Sequence, residues 1–325
     1  MTKSEPLVAI RCIAYNQEAY IKDTLEGFVS QKTTFPFVAI VHDDASTDNT
    51  ASIIREYSER YPDIIKPIYE TENQYSKPGN PLGEIMKKAI ETTGAKYVAY
   101  CEGDDYWIDQ YKLQKQVDFL ENNLEFGLCY TKIRQYIQEK NKFTKTWGGS
   151  GESFESLINL NTIPTLTVVM RFNIYTQYLN QIHPETKNWL MGDYPCWLYF
   201  AANSKIKFFN EVTGIYRVLK NSASHSTDDI RNIKFLCSNC EIKEYFLNKY
   251  KGLVDYRLKL KYKLLQFELD FLLKKFSSKY EISLRRSEIK SLLKYNRFNS
   301  DYFKSLLIIV FPKFGLRLIK ILRGI

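Results

Sequence analysis

The chain has 325 residues, 44% hydrophobic and 26% charged, an ordinary globular balance that excludes a chain too polar to bury a core and suits one large domain with an appendage. Aromatic residues reach 15%, with 24 Tyr and 20 Phe, a richness that serves core packing. The net charge of +9 is uneven: residues 230–325 hold 22 Lys and Arg against 8 Asp and Glu, leaving −5 for the first 229.

Four strand-then-helix units open the chain. Leu7–Tyr15 is an apolar strand broken only by Arg11, and Asn16 is placed to cap a helix carrying Ile21, Leu25 and Phe28. Phe37–His42 is a second strand ending in Asp43-Asp44, and Ser46 or Thr47 caps the next helix, with Ile53, Ile54, Tyr57 and Tyr61. Ile64–Tyr69 is a third, followed by a loop at Glu72–Leu82 and a helix that stops at Gly94. Lys96–Cys101 is the fourth and runs into Glu102-Gly103-Asp104-Asp105. Strands apolar on both faces, alternating with helices, predict a parallel sheet covered on each side, whose ligands bind beyond the carboxyl ends of the strands. Both acidic runs stand at such ends and are expected to share one crevice.

A helix over Asp109–Asn122, strands at Gly127–Ile133 and Thr165–Met170, a loop at Gly148–Ser153 and a helix over Asp193–Ala202 follow. Beyond Asp228 the pattern turns to long basic helices, and a boundary is placed near residue 229. Leu258, Leu260, Leu264, Leu265, Phe267 and Phe271 recur there at helical spacing. The last stretch, Phe303–Ile325, lacks the ~20 consecutive apolar residues of a crossing helix. It suits an amphipathic helix on an anionic membrane surface, or a face packed on the preceding domain or on a second copy of the chain. Nucleic acid is not expected, because no recognised binding motif occurs.

Six cysteines lie mostly in apolar runs, and Met1–Pro6 is polar, so reduced thiols, no secretory segment and a cytoplasmic location, peripheral to the inner membrane face, are expected. Cys237-Ser-Asn-Cys240 has no second Cys pair, and the chain has three His, which argues against zinc.

Carboxylates crowded on the turn Glu102–Asp105 repel one another unless a cation joins them. Mg²⁺ or Mn²⁺ bound with a diphosphate needs only one or two protein carboxylates and completes its shell with phosphate oxygens and water, and Gly103 allows close backbone approach. The competing reading is a solvated, capped turn.

Leu7–Glu18, Val41-His-Asp-Asp-Ala-Ser-Thr-Asp48 and Glu102-Gly-Asp-Asp-Tyr-Trp107, in this order, resemble the family-two glycosyltransferases of the GT-A fold, especially those that build bacterial capsular and O-antigen polysaccharides. The resemblance runs over residues 7–225 and implies an α/β fold with a mixed, mostly parallel sheet, a helical C-terminal extension, and a nucleoside-diphosphate sugar, UDP foremost, as donor. It implies that Ala14, Tyr15 and Glu18 border the base, Asp44 accepts a hydrogen bond from it, Glu102 meets the ribose or metal, Asp104 ligates the metal and Asp105 stands beside it. Two departures are visible: Ile13 replaces the usual Pro, and Glu102 the first Asp of the family's D-x-D. The same resemblance assigns Asp193, in Trp189-Leu-Met-Gly-Asp-Tyr194, as the base that takes the acceptor proton in an inverting displacement. Otherwise Asp193 is a first-turn residue answering the helix dipole. It further implies Arg217 at the phosphates and His225 at the metal, in Gly214–Arg217 and Asn221–Ser226. His42 and His183 read as structural.

The expected activity is sugar transfer to a lipid-linked or oligosaccharide acceptor. A sugar-1-phosphate nucleotidyltransferase needs a Gly-rich loop after the first strand, where Ala14–Glu18 has no glycine. A catalytically inert glycan-binding scaffold is the non-enzymatic alternative.

Overall fold

The structure is a computed structural model and describes residues 5–77, 81–220 and 229–253. Residues 5–220 and 245–253 belong to one compact unit, and residues 229–244 to a second. The basic segment from residue 254 on, including 303–325, and His225 lie outside the described residues.

Among the described residues nine strands form one sheet: β1 (Val8–Ala14), β2 (Phe37–Asp43), β3 (Ile65–Tyr69), β4 (Tyr97–Tyr100), β5 (Tyr106–Trp107), β6 (Phe126–Ile137), β7 (Lys142–Trp147), β8 (Val169–Arg171) and β9 (Lys205–Val218). Their order is β3-β2-β1-β4-β8-β6-β9-β5, with β7 paired to β6 on the side. The first four strands are parallel. β8 then runs antiparallel to both β4 and β6, while β6 and β9 are parallel again. The sheet is mixed and α/β, and its long parallel ladders carry most of the pairing.

The helices are α1 (Ile21–Val29), α2 (Thr50–Arg60), α3 (Leu82–Glu91), α4 (Lys112–Asn122), α5 (Phe154–Asn159), α6 (Phe172–Ile182), α7 (Tyr194–Asn203) and α8 (Asp229–Lys249). Val8, Ile10, Cys12 and Ala14 alternate onto one face of β1 and join Ile21, Leu25 and Phe28 of α1, Ile54 of α2 and Leu113, Val117 and Leu120 of α4 in a single buried cluster. On α7 every residue from Tyr194 to Phe200 is buried. A helix apolar all round has to be enclosed on all sides, and the rings of Tyr175 and Trp197 meet Tyr100 of β4 at 6.4 and 6.0 Å.

Several local expectations shift. Asn16 does not cap α1: it takes φ +51°, its side-chain carbonyl accepts the amide of Thr47, and the helix starts after Tyr20. Neither Ser46 nor Thr47 caps α2, whose first turn is met by Asp48 accepting the amide of Thr50. The expected strand at Thr165–Met170 is a 3₁₀ turn over Thr165–Thr167 followed by the short β8. The Thr167 hydroxyl donates to the Pro164 carbonyl, a local bond that competes with the ladder. The segment Gly214–Arg217, which carries Arg217, lies at the end of β9.

Candidate active site

The two acidic runs meet across the end of one strand. The carbonyl of Ile13 accepts the amide of Gly103, and the carbonyl of the next residue, Ala14, accepts the amide of Asp44. Strand β1 therefore separates the runs by a single strand's width, although they lie almost sixty residues apart in sequence. Parallel pairing with β2 and β4 sets this arrangement, because strands in register end at one edge.

Backbone-to-side-chain bonds stitch the loops after β1 and β2 together. The amides of Asn16, Gln17 and Glu18 donate to Ser46 Oγ (2.9 Å), Thr50 Oγ1 (2.7 Å) and Asp48 Oδ2 (3.0 Å). In return Glu18 Oε2 accepts the amide of Asn49 at 2.9 Å. Ala45, beside Asp44, has φ +62°, a left-handed conformation that costs an L-residue about 1 kcal/mol or more and persists where surroundings enforce it. Ala14 is buried and Tyr15 is 47% exposed, so Tyr15 offers its ring at this edge while Glu18 is occupied with Asn49.

Asp44 is 1% exposed, and both its carboxylate oxygens are taken by backbone amides, Gln74 at 2.7 Å and Tyr75 at 3.1 Å. It pins the loop after β3 to the end of β2. Tyr75 is 65% exposed on that loop.

The four acidic-turn residues have four different environments. Glu102 accepts Arg11 Nη1 at 2.9 Å. Burial opposes the Arg11 charge, but Glu102, helped by Tyr100 and Tyr175, outweighs it and raises the guanidinium pKa. Arg11, the lone charge in an otherwise apolar strand, is thus part of the site and has its visible signal in the sequence. Gly103 has no room for a side chain: a Cβ there would stand 2.3 Å from Gln17 Oε1 and 3.0 Å from both Ala14 and Ile21. Asp104 is half-buried and makes no ion pair among the described residues. Burial, then repulsion from Glu102, lift its carboxyl to about 6. Asp105 is turned inward, 5% exposed, and accepts the backbone amide of Arg217 at 2.8 Å. Burial and Asp104 push its carboxyl well above the usual range, so it anchors β9 behind the turn instead of lining the crevice.

Arg217 is likewise enclosed. Its guanidinium donates to Asp23 and, at 2.8 Å, to Gln138, and lies over the rings of Tyr20 and Tyr106 at 5.2 and 4.9 Å. Its charge still lowers the Asp104 carboxyl, which makes it a buried counter-charge to the turn, with Nη1 and Nη2 engaged by protein partners and Nε left without one among the described residues. Asp193 caps α7: Oδ1 accepts the amide of Tyr194 at 2.7 Å and Oδ2 the hydroxyl of Thr165 at 2.5 Å. Asp23, Thr165 and the tyrosines around Arg217 carry no local sequence pattern that marks them.

A divalent cation fits the donor set. Among the described residues no group of three His, Cys, Asp or Glu forms a cage. One strained, partly open carboxylate, Asp104, stands beside a second acid already neutralised by Arg11. Such a site suits a hard ion that draws most of its ligands from a diphosphate and water.

The chain matches the family model for glycosyl transferase family 2 over residues 11–184. It belongs to that family. A Bacillus subtilis protein named for teichuronic acid biosynthesis as a glycosyltransferase is 28% identical over 69% of this chain and 84% of its own length. An uncharacterized Mycobacterium tuberculosis protein is 38% identical over 50% of this chain. The chain spans about half the length of such curated relatives, 46% in that case. Among solved structures, S. aureus TarS 1–349 in complex with UDP-GlcNAc superposes with TM-score 0.56 at 14% identity, covering 92% of this chain and 81% of that one. The Pyrobaculum calidifontis mannosyltransferase in complex with GDP-Man and Mn²⁺ gives TM-score 0.54 at 15% identity, covering 96% and 89%. At such identity the likeness shows the GT-A-like fold.

Proposed function

We propose that the chain transfers a glycosyl group, with inversion, from a nucleoside-diphosphate sugar, UDP foremost, to a hydroxyl of a glycan or lipid-linked acceptor in surface polysaccharide synthesis. The observation that carries this reading is the convergence of Asp44 and Gly103-Asp104 on consecutive carbonyls at the end of β1. Similar proteins support the donor class: TarS is in complex with UDP-GlcNAc, and the mannosyltransferase with GDP-Man and Mn²⁺. The Bacillus relative's name supports a polysaccharide product.

The loop pinned by Asp44 and the exposed ring of Tyr15 receive the base. Asp104 is the protein's ligand for Mg²⁺ or Mn²⁺, which when bound would stabilise negative charge on the departing diphosphate. The Arg11–Glu102 pair adds no net charge, leaving Asp104 as the open acid of the turn. Asp193 removes the acceptor proton as the acceptor oxygen bonds to the sugar C1. The bond from C1 to the diphosphate oxygen breaks at the same time, and its electron pair leaves with the nucleotide. His225, outside the described residues, is a further candidate ligand on the basis of the family resemblance.

Screening UDP-, GDP- and dTDP-sugars with Mn²⁺ for thermal stabilisation identifies the donor. Asp193→Asn is expected to keep that stabilisation and lose turnover, and Asp104→Asn to lose both. Equal loss of binding in the two variants would show that the roles are misassigned. No helix among the described residues is long and apolar enough to cross a membrane. The amphipathic pattern of 303–325 supports surface attachment near a lipid-linked acceptor, and deleting it should release the protein from anionic vesicles while sparing activity on a soluble acceptor.

A further inference from the structure

The turn that precedes β8 is tied at every residue. Thr165 gives its hydroxyl to Asp193 Oδ2 at 2.5 Å. The carbonyl of Leu166 accepts Trp107 Nε1 at 2.7 Å, that of Thr167 accepts Gln116 Nε2 at 2.9 Å, and that of Val168 accepts the amide of Tyr100 at 3.2 Å. Within the turn, the amides of Thr167 and Val168 close onto the carbonyls of Pro164 and Thr165. Gly214 of β9 lies so close that a Cβ there would stand 2.6 Å from Leu166 Cδ1, so the turn is clamped from that side as well. Three of these partners border the acidic turn or the helix behind it: Tyr100 precedes it by two residues, Trp107 follows Asp104 by three, and Gln116 is on α4.

We propose that Thr165 is a positioning residue that fixes the Asp193 carboxylate for proton abstraction, and that Trp107, through Leu166, ties this position to the turn carrying Asp104. The proposal rests on the reading of Asp193 as the base. A carboxylate has about four lone-pair sites on its two oxygens. The Tyr194 amide and the Thr165 hydroxyl take one on each oxygen, which stops rotation of the group and leaves a site on each oxygen for an acceptor proton. Thr is stiff at χ1, so the hydroxyl itself is well placed only if its backbone is, and the backbone is held by the bonds to the carbonyls of Leu166, Thr167 and Val168. The donor-side acid and the acceptor-side base would then be set at a fixed separation before substrate arrives, the pre-organisation that transfer between two bound molecules requires.

A purely structural role for Thr165, support of the α7 cap, predicts lower stability with unaltered chemistry in the folded fraction. The experiment uses the full chain with the donor selected from the UDP-, GDP- and dTDP-sugar panel, and compares Thr165→Val, Thr165→Ser, Trp107→Phe and Asp193→Asn well below their melting temperatures. Thr165→Val should lower kcat by about 10- to 100-fold with donor KM and Mn²⁺-dependent donor stabilisation unchanged. Thr165→Ser should recover most of the loss, and Trp107→Phe should lower kcat in the same direction by a smaller factor. If Asp193→Asn is inactive while Thr165→Val keeps wild-type kcat, or loses activity only through KM, the positioning role is wrong and the base assignment stands. Normal turnover by Asp193→Asn would remove the base assignment itself. Should Thr165→Val fail to fold, Thr165→Ala provides the same kcat comparison.

Discussion

Replacing Asp104 by Asn should make the metal-free protein more stable above neutral pH while removing its metal response. The carboxyl is raised from 3.8 to about 6, first by burial and then by Glu102. The folded state therefore resists ionisation that the unfolded chain accepts freely. This penalty is small near pH 4, grows as pH rises from the unfolded value towards about 6, and is complete above it. With about 1.4 kcal/mol per tenfold change, the difference corresponds to ~3 kcal/mol, and discounting for water reaching a half-buried side chain leaves ~2 kcal/mol. Asn keeps the shape and removes the charge. Urea denaturation without divalent cations, near pH 8 and near pH 4.5, measures the gain directly. Asp104→Asn should exceed the wild type by ~2 kcal/mol near pH 8, with a smaller advantage near pH 4.5. Adding Mn²⁺ with the selected sugar nucleotide should reverse the ranking, because only the wild type has the acid that the ion neutralises. A variant no more stable than wild type near pH 8 would refute the idea that the turn holds an uncompensated carboxylate.

Other positions give independent checks. Gly103→Ala places a Cβ against Gln17, Ala14 and Ile21; overpacking of this kind costs about 1–3 kcal/mol, and a matching fall in the urea midpoint should accompany weaker donor stabilisation. Lys112 is fully buried over the Trp107 ring, at 4.2 Å, and burial lowers its pKa from 10.5 to about 7. Wild-type stability should therefore rise as pH increases from about 7 towards 10.5, and Lys112→Met should remove that rise and gain about 1–3 kcal/mol near pH 7. A flat wild-type profile would contradict it. Asp44→Ala leaves the amides of Gln74 and Tyr75 without their acceptor. Faster hydrogen exchange confined to that loop and a raised donor KM are expected, with kcat changed less.

Much of the architecture was legible in the order of residues. The alternation of apolar strands with amphipathic helices through Cys101 predicted the parallel half of the sheet, because periodicity is local information and burial on both faces leaves a continuous apolar run. The acidic runs at Asp43-Asp44 and Glu102–Asp105 were placed at strand ends for the same reason. Residue type alone does not distinguish Asp104 from Asp105, and only the family resemblance assigns the metal to Asp104; in the structure Asp104 is partly open and Asp105 is bonded to β9. The resemblance implies that Asp44 and Arg217 meet the ligand, and it carries no sign of the protein partners they have in the structure, the amides of Gln74 and Tyr75 for Asp44 and the side chains of Asp23 and Gln138 for Arg217. Thr165 gave no signal at all, since its partner lies 28 residues away. Local chemistry determined which segments become strands, which faces are apolar and where negative charge accumulates. Only the tertiary structure decided which carboxylates keep a free face, because that depends on backbone amides and guanidinium groups delivered from distant strands, and a side chain's partners are fixed by the packing of the whole sheet.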